Sequence, residues 1–321
     1  MTTDIPAGVP DGAPGRRPDV LSRLRMPGAV LRALACPHCG HGLAASGNGL
    51  GCDSGHRFDV AKEGYVSLLT GRGSAGTGDT AEMVRARRSF QDAGHFARLA
   101  GAVAETAACL AAGPGAGART ADGAPGGIVA DVGAGTGYHL AAVLDRLPGA
   151  TGVALDVSKF ALRRAAKCHP RAGAAGCDAW QGLPLRSGAV SLLLNVFAPR
   201  DGAEFARVLR PDGALVVVTP TARHLGELVG PLGLVSVDPR KDERLERALG
   251  GLFEETGRDE LDVDLALSRA DAATAVEMGP SARHLSPQEL RRGIAALPEP
   301  VAVTGSFSVS VHRPRPAPTR G

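Results

Sequence analysis

From residue 128 onward the chain alternates short apolar runs with stretches whose apolar residues recur at helical spacing. Strands buried on both faces read as continuous apolar runs, and the crossovers between parallel strands are usually helical. The pattern therefore predicts a parallel sheet covered by helices on both faces. The predicted strands are IVADVG from Ile128, VALDVS from Val153, AVSLLLNVFA from Ala189 and ALVVVTP from Ala214, and the helices begin near His139, Lys159 and Ala203.

The last part of the chain adds two further runs with strand character. LDVDLAL from Leu261 and VAVTGSFSVSVH from Val301 flank a helical stretch over residues 270–297. We predict that these two runs form a hairpin that closes the sheet. Residues 313–321 are rich in proline and are predicted to be a disordered tail.

Ahead of the sheet the pattern is less regular. Residues 1–30 are rich in Pro, Gly and Arg without a hydrophobic period, which predicts a disordered tail. In FDVAKEGYVSLL, from Phe58, apolar residues alternate as in short strands. Helical spacing over 79–99 and 101–112 predicts two helices, and the Gly-rich segment 71–78 before them is typical of a hinge.

Composition narrows the class of protein without naming a partner. The chain has 321 residues, of which 44% are hydrophobic, and a formal net charge of +3. This charge is too small to indicate nucleic acid by itself. The first residues lack the apolar segment of a signal peptide, and no apolar run approaches the roughly 18 residues that cross a bilayer. We therefore expect a cytoplasmic protein with reduced cysteines and no membrane partner.

Four residues near the N-terminus have the spacing of a zinc site. Cys36, Cys39, Cys52 and His56 form the pattern C-x2-C-x12-C-x3-H, and two ligands two residues apart can come from one tight turn. Four protein ligands leave no open coordination position. We therefore predict one structural zinc that stabilises a segment of about 40 residues, too short to bury a sufficient core alone.

Two alternatives to this zinc set remain open. The thiols can be ordinary buried cysteines, or the nearer His38 or His41 can replace His56 as the fourth ligand. The other cysteines, Cys109, Cys168 and Cys177, have no partner at metal spacing and are interpreted as packing thiols.

A glycine-rich loop follows the first predicted strand. In DVGAGTG, Asp131 is followed by Gly133, Gly135 and Gly137, where the absence of Cβ atoms lets backbone amides approach a ligand at the start of a helix. Asp156 ends the next strand, about twenty residues later, where a carboxylate can bind a ribose diol. Together they indicate a nucleotide-like cofactor; a tight turn without a ligand is the alternative.

The spacing of the glycines separates two classes of cofactor. The loop reads G-x-G-x-G, so its third glycine is misplaced for the pyrophosphate of a nicotinamide dinucleotide. Asp178, after the next short strand, is a candidate partner for an adenine amino group, and residues 195–199 lie where a methyl would be transferred. This set resembles the class I S-adenosylmethionine methyltransferases, which implies a Rossmann-like α/β fold with a seven-stranded, mainly parallel sheet.

The order of the motifs resembles a narrower family. The zinc cluster, FDVAKEGYVSLL, GDTAEMVRARRSFQDAGHF, DVGAGTGYH, LDVSK and VTPTARHLGELV resemble the 23S ribosomal RNA guanine-N1 methyltransferases over residues 34–311. NVFAPR and MGPSARH are most similar to the branch that includes the tylosin-resistance enzymes of antibiotic-producing actinobacteria. The resemblance implies cofactor contacts at Gly135, Thr136, Phe96 and His224. The family usually has Tyr at the position of Phe96, so stacking can be retained there whereas a phenolic hydrogen bond cannot.

Methylation of guanine N1 requires that its proton is removed and that the nitrogen is placed in line with the methyl group. A base in a hairpin loop can be splayed out with little unpairing. We consider Arg85, Arg87 and Arg88 as phosphate contacts, with a solvated helix face as the alternative. The catalytic base stays unassigned, and Asp92, His95 and His224 are the polar groups in the resembling phrases.

We therefore interpret the chain as an S-adenosylmethionine-dependent methyltransferase that acts on guanine N1 in a hairpin loop of 23S ribosomal RNA. Residues 31–70 form the zinc-binding RNA-recognition domain, 71–127 a hinge, helices and loop, and 128–312 the methyltransferase domain. The resemblance makes macrolide resistance of the tylosin type a candidate role, which the sequence alone does not fix. A small-molecule methyltransferase of the same fold, and a zinc-ribbon RNA-binding protein with a non-catalytic cofactor pocket, are the alternatives. A monomer and a homodimer both remain open.

Overall fold

The computed structural model describes residues 20–71, 78–112, 127–234, 241–279 and 285–316. Most of the predicted N-terminal tail, most of the hinge and part of MGPSARH lie outside the described residues. The helices are α1 (Val20–Arg23), α2 (Gly28–Ala33), α3 (Ala81–Asp92), α4 (Ala97–Ala112), α5 (Tyr138–Arg146), α6 (Lys159–Ala165), α7 (Gly202–Val208), α8 (Gly226–Leu232), α9 (Lys241–Leu249), α10 (Arg269–Glu277) and α11 (Pro287–Ala296). The strands are β1 (Ala44–Ser46), β2 (Gly49–Gly51), β3 (Arg57–Asp59), β4 (Val66–Ser67), β5 (Ile128–Val132), β6 (Thr151–Asp156), β7 (Ala172–Gly176), β8 (Val190–Val196), β9 (Leu209–Pro220), β10 (Phe253–Leu267) and β11 (Val301–Pro314).

The central sheet has the strand order β10-β11-β9-β8-β5-β6-β7-β4. The pairs from β4 through β9 are parallel, whereas β11 is antiparallel to both β9 and β10. Seven of these strands are the predicted ones, so the α/β fold and its closing hairpin are confirmed. The chain passes from β5 to β6 and β7 on one side and returns to β8 and β9 on the other. Ligands bind at the carboxyl ends of parallel strands where the order reverses in this way.

The N-terminal module packs directly onto this sheet. β1, β2 and β3 form a small antiparallel sheet of their own, whereas the two-residue β4 pairs with β7 as an eighth strand. Leu34 forms a β-bridge with Leu185. Leu50, Phe58 and Val66 are buried in the same apolar cluster as residues of β6. The module and the larger sheet therefore share one hydrophobic core.

The described parts of both predicted tails are ordered. Val20 and Leu24 are buried, and the N–H of Arg25 donates to the carbonyl of Gly64 at 3.0 Å. At the other end, β11 extends to Pro314, and the N–H of Arg315 donates to the carbonyl of Leu252 at 2.8 Å. The prediction of disorder is therefore wrong for residues 20–30 and 313–316. Residues 20–30 contain too few buried apolar residues, among them Val20 and Leu24, to produce a hydrophobic period. Residues 313–316 are proline and arginine and therefore show no period either.

The helix predicted over residues 79–99 is interrupted. α3 ends at Asp92, Gly94 adopts a left-handed φ of +83°, and α4 begins at Ala97. A left-handed residue ends a helix, and glycine adopts this conformation without a steric penalty. α4 therefore includes four residues before the predicted start at Gly101. The helical stretch predicted over 270–297 likewise comprises α10 and α11.

Candidate functional site

A cleft of about 230 Å³ lies at the carboxyl ends of β5, β6 and β8, where the strand order reverses. Its lining includes five of the seven predicted cofactor-binding residues, namely Phe96, Gly133, Gly135, Asp156 and Asp178. Thr136 and His224 do not line the cleft. Thr136 contacts the lining residue Gln91, and His224 contacts the lining residue Phe197. Their cofactor roles, like those of the five lining residues, remain predictions.

The glycine loop is held in one conformation by backbone geometry. Gly133, Gly135 and Gly137 have left-handed φ angles of +74°, +56° and +79°, and Gly137 is the N-cap of α5. A Cβ on Gly133 would lie 2.4 Å from the Cβ of Ala198. The loop therefore requires glycine at Gly133 both for its backbone conformation and for the approach of residue 198.

Asp156 joins this loop to the end of β6. Its Oδ2 accepts the N–H of Gly135 and its Oδ1 accepts the N–H of Ser158, both at 2.8 Å. Burial raises the pKa of this carboxyl, and the two N–H donors act in the opposite direction. Each carboxylate oxygen has a second lone pair available to a hydroxyl group. Asp156 can therefore orient the loop and bind a ribose diol at the same time.

Two further buried groups in the cleft have unsatisfied polar atoms. Among the described residues, Asp131 Oδ1 and His139 Nδ1 have no hydrogen-bond partner. Burial, with the nearby charge of Asp156, raises the pKa of Asp131 to about 7. Burial, with the charge of Arg87, lowers the pKa of His139 to about 4, so its imidazole is neutral at pH 7. Buried polar atoms without partners are rare, so these two fit a cleft that binds a polar, positively charged ligand.

Neither Asp131 nor His139 is among the predicted site residues, although both lie in DVGAGTGYH. Their burial and their buried polar atoms without hydrogen-bond partners mark them as site residues. Neither property can be predicted from a sequence pattern. The lining also includes Asp79 and Asp178. The cleft thus brings together four carboxyl groups with one arginine, which suits the sulfonium and ammonium charges of S-adenosylmethionine.

Arg87 does not lie on the surface predicted for it. Its guanidinium donates to Asp79 Oδ2 at 2.8 Å and to the carbonyl of Met278 at 3.0 Å, and its side chain lines the cleft. Thr136 Oγ1 donates to Gln91 Oε1 at 2.7 Å, and Gln91 also lines the cleft. The inner face of α3 therefore closes the cleft beside the glycine loop.

An aromatic cluster forms one wall of the cleft mouth. The ring of Phe197 lies 6.2 Å from Phe96 and 6.4 Å from His224, and His224 lies 4.8 Å from Phe307. His224 Nδ1 accepts the N–H of Ser306 at 3.3 Å. Phe197 has a left-handed φ of +55° and is 36% exposed. Non-glycine residues in this conformation cluster at functional sites, so Phe197 is the candidate within the predicted segment 195–199 that the sequence alone did not single out.

Residues of the short 3-10 helix Ala179–Gln181 also line the cleft. Asp178 is its N-cap, with Oδ1 accepting the N–H of Trp180 at 3.0 Å. Trp180 lines the cleft and is 63% exposed. Asp178 thereby fixes the turn that presents a large aromatic ring to solvent.

Asp92 and His95 lie away from the cleft lining. Asp92 pairs with Arg88 at 3.1 Å on the outer face of α3. His95 Nε2 lies 3.4 Å from Asp271 Oδ2. Of the three polar groups considered at the sequence level, only His224 contacts an aromatic residue of the cleft, through Phe197.

The four predicted zinc ligands meet at one point. Their ligand atoms all lie within 4.8 Å of one another. The Sγ atoms of Cys36 and Cys52 lie 3.6 and 3.4 Å from His56 Nδ1, and Cys39 Sγ lies 3.6 Å from Cys52 Sγ. Tetrahedral zinc, with bonds of about 2.3 Å to sulfur and about 2.0 Å to nitrogen, separates its ligand atoms by about 3.5 to 3.8 Å. The donor set therefore fits a closed, structural zinc.

Two tight turns position these ligands. Gly40 donates its N–H to the carbonyl of Cys36 at 2.8 Å, and Gly55 donates to that of Cys52 at 2.9 Å. Both glycines have left-handed φ angles, +74° and +84°. The Ser54 hydroxyl and the backbone N–H of His41 lower the pKa of the Cys39 thiol to about 6. A lowered pKa favours the thiolate, which is the form that binds metal.

The histidine alternatives are not supported. The ring of His38 lies 4.8 Å from that of His56 and 6.0 Å from that of Phe58, while His41 Nδ1 hydrogen-bonds to Ser54 Oγ at 3.2 Å. Among the remaining cysteines, Cys177 is buried and Cys168 half-buried, as expected for packing thiols. Cys109 is exposed on α4, so the packing prediction is wrong there.

Residues 34–71 match the family described as RlmA, N-terminal, a zinc ribbon. The chain is 52% identical over 292 residues to a Micromonospora griseorubida protein named as a 23S rRNA (guanine-N(1)-)-methyltransferase, which covers 89% of this chain and 98% of that protein. The chain belongs to the 23S rRNA (guanine-N1) methyltransferase family. It is also 47% identical over 287 residues to the 23S rRNA (guanine(748)-N(1))-methyltransferase of Streptomyces fradiae, covering 89% of this chain and 99% of the relative. Geranyl diphosphate methyltransferase with sinefungin aligns at a TM-score of 0.38 and 15% identity, over 66% of this chain and 77% of that one.

Membership of this family agrees with the chemistry of both sites. The zinc ribbon contains the Cys3His cluster, and the methyltransferase fold contains the cleft lined by Gly133, Gly135 and Asp156. The predictions of these two cofactors are confirmed. In the described residues, no helix is long and apolar enough to cross a membrane.

Proposed function

We propose that the chain transfers a methyl group from S-adenosylmethionine to N1 of a guanine in a hairpin loop of 23S ribosomal RNA. Relatives named for this reaction, aligned over 89% of the chain, are the observation that carries the proposal. The glycine loop and Asp156 are consistent with a methyltransferase of any substrate. The zinc ribbon and the open aromatic mouth of the cleft are the features that favour RNA.

The chain's own residues can hold the cofactor by complementary charge and hydrogen bonds. We assign the ribose to Asp156, the adenine edge to Asp178 and the ammonium group to Asp131. The backbone at Gly133 and Gly135 approaches the ligand without a Cβ. When bound, S-adenosylmethionine supplies an electrophilic methyl on a sulfonium. The partly exposed Phe197 lines the same cleft and can stack on a flipped base.

Residues 195–199 hold Phe197 at the mouth. Asn195 is fully buried, and its Nδ2 donates to the carbonyl of Pro199 at 2.9 Å. The N–H of Phe197 itself donates to the carbonyl of Val218 at 3.1 Å. We infer that this rigid turn aligns guanine N1 with the methyl, because positioning supplies much of the rate of such a transfer.

The zinc ribbon shares a hydrophobic core with the sheet, and its ligands do not line the cleft. The module packs on the sheet through β4. We assign it to the RNA stem or loop outside the target base.

Primer extension on ribosomal RNA tests this proposal. A methyl group on N1 blocks Watson–Crick pairing, so RNA from cells that express the gene is expected to give a stop at one guanine that control RNA lacks. The relative from S. fradiae is named for guanine 748, and we propose the equivalent nucleotide, with higher tolerance of tylosin in the expressing cells. Identical extension patterns would contradict the proposal. Radiolabel from the cofactor in small molecules, with none in RNA, would favour a small-molecule methyltransferase.

A further inference from the structure

A second groove, of about 490 Å³, is lined by the outer face of α3 and by α6. Arg85, Arg88 and Asp92 share one face of α3 because they are three and four residues apart, and all three line this groove. Arg87 and Gln91 lie on another face and line the cofactor cleft. Helix α3 is therefore a shared wall between the cofactor cleft and this second groove, which we call the α3–α6 groove.

The α3–α6 groove is strongly cationic. It is lined by two acidic residues, Glu63 and Asp92, and by the cations Arg85, Arg88, Arg163, Arg164 and Lys167. Three of these cations, Arg85, Arg88 and Arg163, form ion pairs. These pairs are weak, because the cationic side chains and most of their partners are solvent-exposed. Arg164 and Lys167 are exposed and form no ion pair among the described residues. A concave surface with such a charge excess favours an anionic ligand.

An aromatic ring lies among these cations. Phe160 lines the groove and is partly exposed. Lys159 Nζ lies 5.2 Å and Arg163 Cζ lies 5.7 Å from the centre of its ring. Grooves that bind single-stranded nucleic acid combine cations that contact phosphates with aromatic rings on which bases stack. A membrane surface would not require a concave site with one aromatic ring.

We propose that the α3–α6 groove binds the sugar-phosphate backbone of the RNA substrate. The inference rests on the proposed function, and it adds α6 to the RNA-binding surface; the family motifs include only its first residue, Lys159. Because α3 lines both cavities, phosphates held by Arg85 and Arg88 are fixed relative to Arg87 and the cofactor cleft. The groove would thus orient the strand that leads to the target guanine.

Removal of two unpaired charges tests the groove. In the variant Arg164→Ala/Lys167→Ala, we expect the affinity for a transcribed 23S rRNA fragment that contains the hairpin loop to fall about tenfold or more at 0.15 M salt. The slope of log K against log salt should become shallower by about 1.5 to 2, because each lost phosphate contact removes nearly one released counterion. KM for RNA should rise while kcat at saturating RNA and the affinity for S-adenosylmethionine stay unchanged.

A matched variant distinguishes a specific effect of the groove from the general loss of two positive charges. Arg291→Ala/Arg292→Ala removes two exposed charges from α11, and we expect it to leave RNA affinity and the salt slope nearly unchanged. Arg164→Lys/Lys167→Arg should retain most of the affinity. Equal losses of RNA affinity in the α6 and α11 variants, or no loss in the α6 variant, would overturn the proposal that the groove binds RNA.

Failure of the proposed function looks different. If the unmodified protein binds the fragment with the expected dependence on α6 but transfers no methyl to it, the RNA-binding role of the groove is supported and the proposed function is contradicted. If methyl transfer occurs and the α6 variant binds RNA normally, the proposed function is supported and the RNA-binding role of the groove is contradicted. If the unmodified protein does not bind the fragment, both fall.

Discussion

The backbone N–H of Gly135 donates to Asp156 Oδ2 at 2.8 Å, across 21 residues of sequence. The glycine loop at the end of β5 is thus held by the carboxylate at the end of the neighbouring β6. Asp156 Oδ1 is oriented in turn by the N–H of Ser158. A site that is ordered before its ligand arrives loses less entropy on binding. This contact connects the fold to the cofactor chemistry that we assign to the cleft.

Replacement of Asp156 tests that connection. In Asp156→Asn the carboxylate charge is lost and one oxygen becomes an NH2 donor, which must face the N–H of either Gly135 or Ser158. Hydrogen bonds to charged groups contribute about 1.5 to 3 kcal/mol, so we expect S-adenosylmethionine affinity to fall roughly 10- to 100-fold by calorimetry. Asp145→Asn, at an exposed position of α5, should bind normally. Unchanged affinity in Asp156→Asn would show that the ribose is bound elsewhere.

The loop glycines should differ in their tolerance of a side chain. Gly133→Ala combines a left-handed φ with the 2.4 Å approach of Ala198, and we expect a loss of about 2 to 5 kcal/mol in the free energy of unfolding. In Gly135→Ala the added Cβ meets only the Arg87 side chain, at 3.6 Å and beyond, so about 1 to 2 kcal/mol of backbone strain is expected. Denaturant titration measures both. The explanation by close packing fails if both variants lose the same stability.

The pKa of Asp131 predicts a pH dependence. This carboxyl titrates near pH 4 when unfolded and at about 7 when folded, so its contribution to stability is complete below about pH 4 and is lost as pH rises through 7. Asp131→Asn cannot ionise, and its stability relative to the unmodified protein should therefore increase from pH 4 to pH 7. For three pKa units the difference approaches roughly 4 kcal/mol.

Cofactor binding should show the opposite trend. A bound positive charge favours the ionised form of Asp131, so affinity for S-adenosylmethionine is expected to increase up to about pH 7 and then level off. Calorimetry of Asp131→Asn should give weaker binding with little dependence on pH in this range. Parallel pH profiles for the two proteins would exclude Asp131 as the responsible group.

Loss of a zinc ligand should affect RNA binding before cofactor binding. Cys52→Ser removes one of four ligands of a structural metal, which contributes directly to the folding of the ribbon. We expect loss of bound zinc by elemental analysis, a lower thermal midpoint and weaker RNA binding, with a smaller change in S-adenosylmethionine affinity. Cys109→Ser, at an exposed cysteine, is the control and should change none of these. An equal fall in RNA and cofactor affinity would contradict this division of roles.

Phe197 should contribute to the rate of methyl transfer. Stacking on an aromatic ring contributes about 1 to 3 kcal/mol per base, so Phe197→Ala is expected to lower kcat/KM for RNA roughly 10- to 100-fold. Leu252→Ala removes another exposed apolar side chain and should leave the rate unchanged. A normal rate in Phe197→Ala would mean that the base stacks on another ring, for which Trp180→Ala is the next variant.

The motifs that depend on local spacing could be predicted from the sequence. Zinc ligands two or three residues apart must come from tight turns, so Cys36, Cys39, Cys52 and His56 were recognisable without a structure. Asp156 was recognisable because a parallel strand returns to the same edge of the sheet after one helix. The alternation of apolar runs with helical stretches likewise predicted the α/β fold.

Properties that depend on distant packing could not be predicted. Arg85, Arg87 and Arg88 are close in sequence, but only the approach of Met278 and Asp79 decides that Arg87 turns inward. The alternation in FDVAKEGYVSLL predicted short strands there, but not that the two-residue β4 pairs with β7 and joins the zinc module to the sheet. The burial of His139, which lowers its pKa, likewise follows from the complete fold.

Methyl transfer in a purified system tests the central claim most directly. The protein would be incubated with labelled S-adenosylmethionine and a 23S rRNA fragment, and the digested RNA would be mapped by mass spectrometry. We predict label in 1-methylguanosine at a single guanine of the hairpin loop, with the yield strongly reduced in Asp156→Asn at limiting cofactor. Label in another nucleoside, or none in the RNA, would contradict the account.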